Sequence, residues 1–97
     1  MTDYVYHIEQ RNDEGDYDIE PIRIKRVYSS QRQAIEAAQK RHYEMCHEID
    51  SAPEQLAPTK ESVQAHELLP LLVLEPIVEG KRDPYMTYHI HQMKVVA

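Results

Sequence analysis

Ninety-seven residues make one domain spanning 1–97, long enough to bury a core but too short for a second one, so a deep cleft would need a partner subunit. The formal charge of −6 at pH 7 is spread over both halves of the chain and argues against nucleic acid as a partner, because phosphate binding draws on Lys and Arg. Phe and Trp are absent, so seven tyrosines supply the aromatic bulk, and some of those rings must lie where their hydroxyls find partners, at a surface or interface.

Residues 3–10 alternate Tyr4, Tyr6 and Ile8 with Val5, His7 and Glu9, the period of a half-buried strand. The stretch 11–18 carries Asn12, Asp13, Gly15 and Asp16 and reads as a polar connection to a second strand at 19–28. In that strand Ile22, Ile24 and Tyr28 alternate with Arg23, Lys25 and Val27, and Pro21 marks its start or an edge.

Ser30 and Gln33 have the spacing of a capping box and open an amphipathic helix over 30–49. Its apolar stripe is Ala34, Ile35, Ala38, Met45, Cys46 and Ile49, with His42 in the middle of that face and Glu36, Lys40, Glu44 and His47 opposite. The small residues Ala34 and Ala38 let such a helix approach a sheet closely.

Pro53 and Pro58 make 50–59 a loop, in which Ser51 and Glu54 can cap a single helical turn; Thr59 can cap a short helix over 60–69 that Pro70 stops. Residues 71–79 read as a buried strand that Pro76 marks as edge-like, residues 80–84 as a turn, and 85–96 as a long strand in which Met86, Tyr88 and Ile90 alternate with Thr87, His89 and His91. The expected fold is α+β: ββα, a variable middle, then ββ. It is a two-layer arrangement of a small antiparallel sheet of about four strands with one main helix on one face.

Histidines supply the candidate chemistry. His89 and His91, two apart on a strand, share a face at a spacing from which both rings can converge on one ion. His7 lies on the non-tyrosine face of the first strand and joins them if the first and last strands pair. Three imidazoles, His7, His89 and His91, suffice for zinc or another divalent transition metal, with Glu9 as fourth ligand or base. The alternative is a solvated polar sheet face.

His42 and Cys46, four apart on the helix, can also share a metal, but they face inward, away from the His89 pair. The economical reading of His42 is a buried histidine bonded to a tyrosine hydroxyl or a backbone carbonyl. Cys46 sits near the helix C-terminus, where the dipole opposes a thiolate nucleophile. Ser29 and Ser30 lack a glycine-flanked elbow, and Ser30 has a capping role. Asp13-Glu14-Gly15-Asp16 lacks the ligand spacing of a calcium loop. Arg23, Lys25, Arg26, Arg32, Lys40 and Arg41 make 23–41 locally basic, either a solvated face or a dock for a small anion or acidic partner.

The run from Tyr4 to Val27-Tyr28-Ser29-Ser30 and Ala34-x-x-Ala37-Ala38 resembles small uncharacterised bacterial and phage domains in which a β-hairpin passes through a tyrosine-serine-serine step into an alanine-rich helix. The resemblance covers the first half of the chain and implies a fold but no activity.

The leading expectation is a non-enzymatic interaction or regulatory module, acting on a protein partner or as a homodimer through tyrosines or the 71–78 strand. The alternatives are a divalent-metal protein using the histidines and a phage-type inhibitor of a host enzyme. A single cysteine, a start without a basic-then-apolar leader and an interrupted apolar run at 68–78 set the expectation of a cytoplasmic location and no membrane span.

Overall fold

The computed structural model describes residues 3–12, 22–59 and 72–95. The elements follow as β1 (Asp3–Asn12), β2 (Ile22–Tyr28), α1 (Gln31–Glu48), β3 (Gln55–Pro58), β4 (Leu72–Val78), β5 (Lys81–Arg82) and β6 (Met86–Val95). Every pairing is antiparallel, in the spatial order β2-β1-β6-β4-β3, with β5 on β4. The architecture is α+β, as expected, but the described residues form a sheet of six strands rather than about four. The acidic turn at 13–18, the start of the second strand at 19–21 and the expected helix at 60–69 with Pro70 lie outside the described residues.

The period-2 pattern of β1 and β6 sorts the sheet into two faces. On one, Ile8, Met86, Tyr88 and Ile90 join Leu74 of β4 and the helix residues Ala34 and Ala38 in the core. Neither alanine retains exposed surface, so the helix lies tight on the strands. Each fully buried aliphatic side chain contributes roughly 1.5–3 kcal/mol here.

Both ends of α1 are closed by local hydrogen bonds. The backbone amide of Gln33 donates to the Ser30 hydroxyl at 3.1 Å, half of the expected capping box; the Gln33 side chain instead meets the Ser29 hydroxyl at 2.7 Å. At the other end Ser51 N–H reaches Cys46 O and Asp50 N–H reaches His47 O, with Asp50 at φ 56, the bond pattern of a Schellman motif. Ile49 is the helix C-cap and is 63% exposed, so the apolar stripe ends at Cys46 and does not include Ile49.

The Schellman turn reverses the chain, and 51–54 form no helical turn; β3 follows instead. The side-chain amide of Gln39 on α1 acts as a surrogate strand for it, accepting from Leu56 N–H at 2.7 Å and donating to Glu54 O at 3.0 Å. β3 then pairs with β4 along Gln55–Pro58.

Leu72–Val78 is therefore an interior strand, which corrects the edge-like reading. It carries β3 on one side and β6 and β5 on the other. Pro76 is tolerated because its nitrogen faces the interruption between the β6 pairing, which ends at Leu74↔Tyr88, and the β5 pairing at Ile77↔Arg82. There the Pro76 carbonyl accepts from Asp83 N–H at 3.0 Å, so half of the local pairing is kept without a proline N–H. Glu79 and Gly80, both at positive φ, make the two-residue turn between β4 and β5. No helix among the described residues is long and apolar enough to cross a membrane.

Candidate functional site

The face of the sheet away from α1 is built by odd-numbered residues of β1 and β6. The ladder sets His7 opposite His91 and Glu9 opposite His89, so the three histidines singled out from the sequence occupy one continuous patch. The rings of His7 and His91 stack at 4.8 Å with 12° between planes, and those of His89 and His91 lie 6.4 Å apart at 19°. The rings form a row, with their planes nearly parallel.

The surroundings differ along the row. His7 Nδ1 meets the Met93 sulfur at 3.0 Å, while His89 Nε2 is 3.0 Å from the Thr87 hydroxyl. His89 Nδ1 is buried without a hydrogen-bond partner, a deficiency that ordinarily costs about 1–3 kcal/mol. Burial, together with the positive charge of Arg11 and the neighbouring His91, pulls His89 down to about 4 against the opposing pull of Glu9. The imidazole is consequently neutral near pH 7, the form that binds metals. Burial works to raise Glu9, but the Arg11 guanidinium at 2.5 Å and the charges of His91 and His89 outweigh it and hold the carboxylate below its usual range.

A second constellation lies beneath the helix. His42 has no exposed surface; its Nδ1 is 2.9 Å from the Tyr88 hydroxyl and its Nε2 2.8 Å from Glu54 Oε1. Tyr85 donates to the same carboxylate oxygen at 2.5 Å. Cys46, one helical turn after His42, is buried beside them, and the donor atoms of His42, Cys46 and Glu54 all lie within 4.8 Å of one another. His7, His89 and His91 do not meet that spacing, and among the described residues His42, Cys46 and Glu54 form the one group that does. Burial first, then the Glu54 carboxylate, push the Cys46 thiol up, against a hydrogen bond from the Glu54 backbone amide. Tyr85 and Tyr88 are raised as well, by burial first and Glu54 in addition.

His42 thus has the buried, tyrosine-bonded environment read from the sequence, and the two histidine groups lie on opposite faces of the sheet. Sequence reasoning missed Glu54, which it treated as a helix cap, and Tyr85. The nearest signal was the length of 50–54, which lets the chain fold back two turns to His42. Ser30 caps the helix, its hydroxyl accepting from Gln33 N–H. Part of the basic stretch lines a groove of about 720 Å³ between β2 and α1, where Arg26 of β2 and Lys40 and Arg41 of α1 mix with Glu36 and Glu44. Mixed signs make it a weak anion dock.

No protein-family model, curated protein or solved structure matches the chain, so function rests on these sites alone.

Proposed function

We propose that the protein binds a divalent transition metal, zinc being the simplest case, through His7, His89 and His91. The observation that carries this reading is the β1–β6 register, which sets His7 directly across from His91 with His89 two residues along the same strand. The buried, unpartnered Nδ1 of His89 supports it, since a ligand would satisfy that nitrogen. The stacked rings must turn to converge on one ion. Off-rotamer imidazoles cost about 0.5–1.5 kcal/mol each, small against the roughly 10–16 kcal/mol that zinc supplies at structural sites in peptides. Glu9, already ionised, is the available carboxylate once it leaves Arg11. Titration calorimetry with zinc on untagged, chelator-treated protein tests the reading. The wild type is expected to bind one more equivalent than a His89→Ala/His91→Ala variant; equal stoichiometry in the two would end it.

A second reading, self-association as a homodimer or docking of another protein, is favoured by the apolar residues beside the histidines. Val27, Met93 and Val95 are 52%, 47% and 42% exposed, and the pairings Val27↔His7, Met93↔Val5 and Val95↔Asp3 set them on the same sheet face. That face replaces the 71–78 strand as the candidate interface, because β4 is interior. A non-enzymatic, cytoplasmic module fits both readings, and a phage-type inhibitor would use the same face.

A further inference from the structure

We propose that His42, Cys46 and Glu54 form a second, buried site for a divalent transition metal of the zinc class, chemically distinct from the histidine face because it includes a thiolate. His42 and Cys46 are four residues apart on α1 and so present donors one above the other. The Schellman turn brings Glu54 back against them, and the three donor atoms lie within 4.8 Å.

Charge balance favours such an ion. A thiolate, a carboxylate and a neutral imidazole around a dication sum to zero, which suits a place where His42 and Cys46 are almost wholly withdrawn from water. On binding, the Cys46 S–H bond breaks, its electron pair goes to the metal and its proton leaves to solvent. His42 coordinates through Nε2 and carries its proton on Nδ1.

The neighbours are set for that tautomer. Nδ1–H then donates to the Tyr88 oxygen at 2.9 Å, and the Tyr88 hydroxyl donates to the Met86 sulfur at 3.2 Å, so no polar hydrogen is stranded. Orientation of a ligating histidine by such an outer partner is the usual arrangement at zinc sites. The Tyr85 hydroxyl lies beside the same Glu54 oxygen at 2.5 Å.

Cobalt(II) titrated into untagged, chelator-treated full-length protein tests this. The chain has one cysteine, so a near-ultraviolet thiolate-to-cobalt charge-transfer band reports Cys46 alone. One equivalent is expected to produce that band, together with the intense visible absorption of a four-coordinate ion, and zinc is expected to bleach both. Cys46→Ser should abolish the band and Glu54→Gln weaken binding at least tenfold. Absence of the band in folded wild-type protein overturns the proposal, as does cobalt binding without it. If Cys46→Ser fails to fold, the wild-type spectrum still decides. The band is independent of the histidine face, so loss of either site leaves the other assessable.

Discussion

His7 and His91 face each other across the β1–β6 ladder with their rings stacked 4.8 Å apart. The third imidazole, His89, sits beside them among Glu9 and Arg11 of β1, Thr87 and His91 of β6 and Val73 of β4, where burial opposes its protonation. Folding depends on pH as a result. His89 stays neutral in the folded chain down to about 4, whereas an unfolded imidazole takes up its proton near 6.5. Between those values the unfolded state binds more protons, so stability is full above about pH 6.5 and is lost as pH falls toward 4. Urea midpoints of metal-free protein measured across this window should decline more steeply in the wild type than in His89→Gln. Equal slopes would remove His89 from the explanation.

The imidazole–carboxylate contact under the helix predicts unequal costs for two substitutions. His42→Ala removes one hydrogen bond from each of the Tyr88 hydroxyl and the Glu54 carboxylate and empties a fully buried position, and should cost about 3 kcal/mol, the range for lost buried hydrogen bonds together with a core cavity. Tyr85→Phe removes one hydrogen bond to Glu54 and leaves the His42 contact in place, and should cost about 1 kcal/mol. Urea denaturation gives both values; a smaller loss for His42→Ala than for Tyr85→Phe would show that the network is not organised around the imidazole.

Helix ends offer a contrast of sign. Ser30→Ala removes the hydroxyl that accepts from Gln33 N–H and should destabilise by about 1 kcal/mol. Asp50 holds a left-handed backbone at φ 56, which glycine adopts without the Cβ penalty. Asp50→Gly should therefore stabilise, by up to roughly 1 kcal/mol. Thermal melts of the two variants should move in opposite directions.

The exposed apolar residues beside the histidines predict weak self-association. Sedimentation equilibrium should show a concentration-dependent dimer that Met93→Lys disperses. A strict monomer at micromolar concentrations would remove the homodimer reading.

What was legible in the chain was periodic or capped. The alternation of β1 and β6 placed His7, His89 and His91 on one face once the strands were assumed to pair, and the ladder bears out that pairing. Ser30 and the alanine spacing located the helix and its buried side. The misreadings arose where long-range pairing overrides local signals. Gln55–Pro58 is too short and too proline-rich to read as a strand, and it exists because Gln39 and β4 hold both its edges. Pro76 suggested an edge because sequence alone does not show a gap between β5 and β6 for its missing N–H. Glu54 was invisible as a partner of His42 because their contact depends on a helix ending in a non-glycine left-handed residue.

The most direct test of the histidine face is to follow imidazole nitrogen chemical shifts of untagged, nitrogen-15-labelled protein by NMR during a zinc titration. Ring nitrogens of His7, His89 and His91 should move together and saturate with the same equivalent of zinc, with the His47 ring on the outer side of α1 unaffected. Saturation of the titration with those three rings unmoved would contradict the assignment of the metal to this face.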